Sequence, residues 1–492
     1  MRQISKSDVQ RKVESVNDFW ATGKVEDYFS SKPRRYYFDL FADLAKNRTV
    51  NRAIVLMGPR RVGKTVMLWQ LIDQMLKVGL RPHSIVYVSL DDPVLHPFSL
   101  AELLDIFTRS VKKDTLKDCW VIFDEIQYLK DWDVQLKVLV DTHKKTRFIV
   151  SGSAASALSR QGTESGAGRF SHFILPPLTF CEYLKLLNKE ESLIQSENEH
   201  TFYFQAKDID ALNREFVNYL NYGGFPEAIF SEAIQADPGR FIKHDILDKV
   251  LLRDLPSVYG IRDTQELNRI FATLAYQTGQ ELRLEDVCTR TGLPKNTLKK
   301  YIEYLEAAFL IRSVRRVDRT GKSFKRNNFF KIYLTNPSIY ASLYGLLNPD
   351  EAAFGHLTET AIFAQYFHQE TAGARLFYGR WDGGKGEVDL VEVDERFRPV
   401  HCVEVKWSDG VVGHTHKLKA VLQFCRDNSL EKAVVTTKTI QKQSSFDQGT
   451  TIYFWPSAIY CYLVGKLHFE TEKFIGDHGL ERAQMDLPLT SL

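Results

Sequence analysis

Gly58-Pro59-Arg60-Arg61-Val62-Gly63-Lys64-Thr65 is the stretch that decides the fold, because it follows the pattern G-x-x-x-x-G-K-[ST] without departure. Before it, Arg52-Ala53-Ile54-Val55-Leu56-Met57 reads as a short buried strand. After it, Val66-Met67-Leu68-Trp69-Gln70-Leu71-Ile72 reads as the first turns of a helix. Strand, loop and helix in that order aim successive backbone N–H groups and a helix N-terminus at phosphate oxygens. The loop from Gly58 to Val66, with Pro59, Arg60, Arg61 and Val62 at its crest, is therefore the expected nucleotide cradle. Lys64 would reach the β- and γ-phosphates and Thr65 would ligand Mg²⁺, so ATP and Mg²⁺ are the expected cofactors. A chance Gly-rich turn is the competing reading, and the strand and helix on either side disfavour it.

Cys119-Trp120-Val121-Ile122-Phe123 is a second apolar strand, and it ends in Asp124-Glu125-Ile126-Gln127. A carboxylate at the carboxyl end of a strand beside a phosphate loop can hold Mg²⁺, and its neighbour can orient or deprotonate the attacking water. Asp124 is assigned the metal role and Glu125 the water role. The next strand, Arg147-Phe148-Ile149-Val150, runs into Ser151-Gly152-Ser153. These small polar residues can reach a γ-phosphate, with Ser153 taken as the site residue; equally, a tight turn needs Ser and Gly for its geometry.

These segments resemble the AAA+-type P-loop ATPases of bacteria and archaea that carry an uncharacterised C-terminal region. The matching residues include the phosphate loop, Phe123-Asp124-Glu125-Ile126-Gln127, Val150-Ser151-Gly152-Ser153 and Pro176-Pro177-Leu178-Thr179-Phe180-Cys181-Glu182-Tyr183-Leu184. Tyr222-Gly223-Gly224-Phe225-Pro226-Glu227, Leu252-Arg253-Asp254-Leu255 and Glu303-Tyr304-Leu305-Glu306 also match. The likeness spans about residues 37–407. It implies an arginine shortly before the Pro-Pro-Leu segment that reaches a neighbouring subunit's nucleotide. Arg169 is the best match and Arg160 the second; the alternative for Arg169 is a surface arginine in a Gly/Ser-rich loop. The resemblance also implies a homo-oligomer, such as a hexameric ring.

The chain has 492 residues, 44% of them hydrophobic, enough for several cores and about three domains. Its net charge is only +3, so nucleic-acid binding would need local patches. The cysteines at 119, 181, 288, 402, 425 and 461 are scattered, with no C-x-x-C and no histidine at metal spacing. That suits buried thiols in a reducing compartment and argues against structural zinc. No signal-peptide pattern and no membrane-spanning run is legible, so a cytoplasmic location is expected.

The fold class expected is α/β. A parallel P-loop sheet of AAA+ type is followed by helical and winged-helix segments and a C-terminal α/β region of restriction-endonuclease type. The boundaries read as an N-terminal arm over 1–36, the ATPase domain over 37–185 and a helical lid or linker over 186–262. A winged helix over 263–345 and a nuclease-like domain over 346–492 complete the chain. Leu284 to Gly292 and Pro294 to Leu305 read as helix–turn–helix, with Gly292 in the turn and Pro294 at a helix's first position. Lys295, Asn296, Lys299 and Lys300 fall on its exposed side. Leu310 to Arg326 reads as a hairpin turning near Thr320-Gly321, and from Arg312 to Lys331 eight basic residues face one acidic residue. Arg315, Arg316, Lys322 and Lys325 are its expected phosphate contacts, so DNA, branched or duplex, is the expected partner. The bland alternative is a solvated charged hairpin.

Glu359 lies in a helical pattern, Gly386 to Val393 alternates as a strand, and His401-Cys402-Val403-Glu404-Val405-Lys406-Trp407 reads as another. Alternation puts Glu387 with Asp389, and Glu404 with Lys406, on one face of their strands. Glu359, Asp389 and Glu404 could converge on Mg²⁺ with Lys406 near the attacking water. This resembles the PD-(D/E)XK nuclease fold, although Val388 stands where that motif has proline. The competing reading is a fold that binds DNA without cutting it.

The expected function is an oligomeric ATP-dependent ATPase that binds or remodels DNA. Branched or junction DNA in recombination, repair or defence is what the resemblance implies. A nucleotide-dependent signalling or assembly switch gripping a protein, and an ATP-regulated Mg²⁺-dependent nuclease, are the rivals.

Overall fold

The computed structural model describes residues 5–153, 168–196, 203–324, 328–368, 375–446 and 449–478. Arg160 and its Gly-rich loop, and Lys325 and Arg326 of the basic hairpin, lie outside the described residues. The chain divides into two compact units, Met1–Pro176 with Ser257–Gly260, and Pro177–Pro256 with Ile261–Leu492.

The first unit is built on β1 (Ala53–Gly58), β2 (Ile85–Ser89), β3 (Trp120–Asp124), β4 (Arg147–Ser153) and β5 (Phe170–Ile174). They form one sheet in the order β2-β3-β4-β1-β5, with every pairing parallel. Strands so placed are covered on both faces, which is why β1 and β3 are continuous apolar runs without alternation. Helices α1 (Lys6–Val16), α2 (Lys64–Lys77), α3 (Leu100–Ser110) and α4 (Trp132–Thr142) belong to the same unit.

The sequence set residues 1–36 apart as an arm; from Lys6 onward the structure packs them into this unit. Val9 and Val13, one turn apart on α1, are buried in the same core as Val86, Leu103 and Phe107. The Asn17 side chain then donates to the Tyr87 carbonyl at 2.8 Å and accepts from the Tyr87 N–H at 2.7 Å. The polar composition of the segment hid a two-valine stripe.

The second unit carries a small hairpin of β6 (Ile194–Ser196) and β7 (Phe204–Ala206), helix α5 (Ile209–Tyr222), and one nine-stranded sheet. Its first part runs α6 (Thr264–Tyr276), β8 (Glu281–Arg283), α7 (Leu284–Thr291), α8 (Lys295–Ala307), β9 (Ile311–Val317) and β10 (Phe329–Leu334). Gly292 adopts a φ of 74°, which closes α7 and turns the chain toward α8. Pro294 is the N-cap of α8, one place before the expected position. Leu298 and Leu305 are fully buried on its inner face.

β9 also pairs in parallel with β11 (Leu376–Trp381), so the sheet continues across residues 345 and 346. It runs on through β12 (Gly386–Val393), β13 (Pro399–Glu404), β14 (Lys432–Thr437), β16 (Thr451–Pro456) and the edge strand β15 (Lys442–Ser445). Helices α9 (Ala353–Tyr366), α10 (Lys419–Asp427) and α11 (Ser457–His478) complete this part. β13 ends at Glu404, so Lys406 stands in the loop beyond the strand that was expected to hold it.

Candidate functional sites

The phosphate-type loop leaves β1 at Gly58 and enters α2 at Lys64. Gly63, at φ 96°, supplies the left-handed turn that starts the helix. Gly58 is needed for a further reason: a Cβ there would lie 2.2 Å from the Leu175 carbonyl oxygen, where the chain leaves β5. Lys64 is buried, and its ammonium donates to the carbonyls of Gly58 at 3.0 Å and Pro59 at 2.8 Å. A buried cation held at the crest of a loop that opens a helix suits a polyphosphate.

Across from the loop, Asp124 closes β3. Its Oδ2 accepts from Thr65 Oγ1 at 2.8 Å and from the Tyr87 hydroxyl at 2.6 Å, and its Oδ1 accepts from Ser151 Oγ. Thr65 and Asp124, the two expected Mg²⁺ ligands, are thus brought together. Glu125 takes a left-handed φ of 55°, turning its side chain off the strand. Burial pushes its carboxyl pKa up, against the lowering pull of Lys64. The Gln127 side-chain amide donates to Glu125 Oε2 and accepts from the Ser153 N–H at 3.1 Å. Ser153 therefore enters the network through its backbone as well as standing at the end of β4. A donor set of hydroxyls and carboxylates of this kind fits a hard divalent cation accompanying a nucleotide.

Tyr87, Ser151 and Gln127 make this network; Ser151 was expected only as a small polar residue near the γ-phosphate, and sequence reasoning gave Tyr87 and Gln127 no role. A tyrosine inside the apolar run of β2 and a glutamine two places after Glu125 were the available signals. A cavity of about 740 Å³ opens beside Thr65, Trp69 and Tyr87, with Lys12, Asp91 and Asp92 also on its wall.

Arg169 lies just before β5. Phe170 pairs with Ala53 at the amino end of β1, about 17 Å of strand from the loop that follows Gly58. It cannot reach its own chain's loop, and its side chain pairs with Asp141 at 2.6 Å.

In the second unit, Lys295, Asn296, Lys299 and Lys300 all lie exposed on α8, with Lys295 3.1 Å from Glu285. The basic hairpin differs from expectation. Arg316 pairs with Glu281 at 3.5 Å, Arg319 pairs with Asp427 at 3.0 Å, and Lys331 is buried. Gly321, at φ 72°, seats the turn so closely on the Pro399 ring that a Cβ would come within 2.2 Å of it. Neighbouring carboxylates and rings absorb charge that composition alone made look free. Arg315 and Lys322 remain exposed.

Glu359, Asp389, Glu404 and Lys406 do meet. Lys406 Nζ is 2.7 Å from Glu404 and 3.7 Å from Asp389, and Asp389 Oδ2 accepts from the Val405 N–H at 2.8 Å. Lys331, on β10, stands among them, 3.0 Å from Glu359, 3.0 Å from Glu387 and 3.8 Å from Asp389. Tyr333 donates to Glu359 at 2.5 Å. Burial raises the carboxyl pKa of Glu359 to about 7 and that of Glu404 to about 8. Among the described residues no group of three or more His, Cys, Asp or Glu side chains is arranged to hold a metal ion. The residues as folded do not fit a resident divalent ion.

Residues 50–184 match the family model described as an AAA domain, and residues 213–350 match a domain of unknown function, DUF8612. An uncharacterized protein of Haemophilus influenzae is 25% identical over 406 residues, covering 81% of this chain and 92% of the relative. Two uncharacterized proteins of Methanocaldococcus jannaschii are 24% and 26% identical, covering 75% and 60% of this chain and 80% and 60% of their own lengths. Among solved structures, the yeast Hsp104–ADP complex is similar at 15% identity and a TM-score of 0.30, covering 57% of this chain and 40% of the other. Caenorhabditis elegans PCH-2 is similar at 14% identity and a TM-score of 0.26, covering 46% of this chain and 66% of the other. No helix among the described residues is long and apolar enough to cross a membrane. The segment 50–184 thus pairs a match to an AAA domain with a five-stranded parallel sheet and a phosphate-type loop.

Proposed function

We propose that the protein is an oligomeric ATPase that couples ATP hydrolysis to the handling of DNA. The observation that carries the ATPase half is the convergence of Lys64, Thr65, Asp124 and Glu125 around one loop. In this reading Lys64 binds the β- and γ-phosphates, and Thr65 and Asp124 hold Mg²⁺, which would neutralise charge on the phosphates. Glu125 orients and deprotonates the attacking water, Gln127 fixes the Glu125 side chain, and Ser153 stands toward the γ-phosphate. Arg169 serves the nucleotide site of a neighbouring subunit, which its position at the far end of β5 favours.

The DNA half rests on the exposed face of α8, set by the Gly292 turn and followed by two antiparallel strands, the element order of a winged helix. Lys295, Asn296, Lys299 and Lys300 supply the contacts, with Arg315 and Lys322 beside them. Steady-state ATP hydrolysis measured alone and with duplex, single-stranded and four-way DNA tests the coupling; stimulation by none of them sinks it. A protein-gripping switch is the second reading, favoured by the internal pairing of Arg316, Arg319 and Lys331.

A further inference from the structure

Lys331 is the observation that the ATPase and DNA readings leave unused. Its residue is 2% exposed, in the interior of β10, and its ammonium reaches three carboxylates from two different elements, Glu359 of α9 and Glu387 and Asp389 of β12. An ammonium this deep is costly unless it is paired. Three carboxylates within 3.8 Å of Nζ supply that pairing.

The ammonium also occupies the position a metal would need. An ammonium has three N–H donors, as many as there are carboxylates around Lys331. A divalent ion on Glu359 and Asp389 would bind their oxygens at roughly 2.0–2.6 Å. It would then lie within a few bond lengths of Nζ, with no shielding group between two cations. The outer charges reinforce the arrangement. Arg380 sits 3.5 Å from Glu387 and 3.4 Å from Glu281, and Lys406 binds Glu404 and Asp389. Carboxylates and cations thus alternate across one stretch of the sheet. Glu404 Oε2 is buried without a hydrogen-bond partner, and the bonds from Lys331 and Tyr333 to Glu359 both fall on its Oε1; these acceptors sit on different elements, β13 and α9, with the Lys331 ammonium in reach of Glu359 and Asp389 both.

We propose that Lys331 is a tethered cation standing in the place of a divalent metal, so that the cluster of Glu359, Asp389 and Glu404 binds neither Mg²⁺ nor Mn²⁺ in the native chain. The cluster is then a charge-paired joint between β10 and the strands after residue 375, and it cuts no phosphodiester. Removing the ammonium uncovers a latent metal site, because the carboxylates of Glu359 and Asp389, then without their cation, are free to swing from their present places and close on a divalent ion.

Mn²⁺ titration of the nucleotide-free full-length chain, read from the electron paramagnetic resonance signal of free Mn²⁺, tests this in a Lys64→Ala background. The parent is expected to show no site that depends on Asp389. Lys331→Met should gain one Mn²⁺ per chain, and adding Asp389→Asn should weaken that binding by roughly tenfold or more. A parent site that Asp389→Asn removes overturns the proposal, and so does a folded Lys331→Met chain that gains none. Should Lys331→Met fail to fold by circular dichroism, Lys331→Gln takes its place. If that also fails, the parent titration decides alone: no Asp389-dependent site supports the stand-in, and such a site ends it.

Discussion

Tyr87 on β2 donates a 2.6 Å hydrogen bond to Oδ2 of Asp124 on the neighbouring strand β3. Burial, and then the adjacent Asp124 charge, raise the phenol's pKa well above its usual value, so it is a donor throughout the physiological range. Tyr87→Phe removes that donor without changing volume. A hydrogen bond to a charged group contributes about 1.5–3 kcal/mol, so hydrolysis should slow by roughly tenfold or more while nucleotide affinity changes little. Turnover and fluorescent-nucleotide binding measured on one preparation check this, and equal losses in both would show that Tyr87 supports the loop instead.

Lys64→Ala should weaken nucleotide binding itself, whereas Glu125→Gln should bind ATP and stall, with hydrolysis down on the order of 10²–10⁴-fold. The raised Glu125 pKa has a sign: turnover should fall on the acid side at a pH above that expected for an exposed glutamate. Unchanged turnover in Glu125→Gln would remove the assignment.

Arg169→Ala should bind ATP and hydrolyse it slowly. Mixed with Lys64→Ala chains it should regain turnover, because one interface then combines an intact loop with an intact arginine. Absence of rescue, with subunit exchange shown by a labelled chain, would leave Arg169 as the surface partner of Asp141.

DNA affinity should follow α8 more than the hairpin. Each lysine that neutralises a phosphate releases counterion, so Lys295, Lys299 and Lys300 to Ala should lower the slope of log affinity against log salt by about one per residue. Arg316→Ala should alter that slope little and cost stability instead, since its guanidinium serves Glu281 and packs on Phe324 and Phe329. Unchanged salt dependence in the α8 variant would move the weight to the protein-gripping reading.

Glu392 offers a pH test. It is buried, its Oε2 has no hydrogen-bond partner, and burial raises its pKa to about 7, with Arg375 pulling the other way. Its surroundings are Tyr366, Tyr460 and its strand partner His401, whose own pKa burial lowers to about 4. A carboxyl whose folded pKa is raised favours the fold at low pH and loses that advantage as pH climbs from the unfolded value to about 7. Glu392→Gln should therefore gain on the parent between pH 5 and 8 by about 2–3 kcal/mol. Denaturant midpoints at the two pH values check it, and His401 cancels in the difference.

The phosphate loop was legible because its chemistry is local: eight consecutive residues carry both the turn and the charge. Asp124 and Glu125 were legible for the same reason, sitting at the end of an apolar run. Tyr87 was not, and Ser151 was placed near the γ-phosphate without its bond to Asp124, because these contacts come from the parallel register that sets β2 and β4 on either side of β3. Lys331 shows the limit most sharply. In sequence it counts as one more cation in a basic stretch, while in space β10 delivers it to carboxylates that lie 28 to 58 positions downstream. Charge composition cannot tell an exposed arginine from one already neutralised by a distant strand.

The parallel pairing of Arg315, Arg316 and Val317 with Phe377, Tyr378 and Gly379 decides how the second unit can be taken apart. A fragment ending near residue 345 would bare the outer edge of β9, and a fragment beginning there would bare that of β11. Open strand edges of this kind recruit other chains. Expression of either half alone should thus give aggregated material, and co-expression of the two should recover soluble protein. Evolutionary shuffling would meet the same obstacle, so these strands must be inherited as one piece.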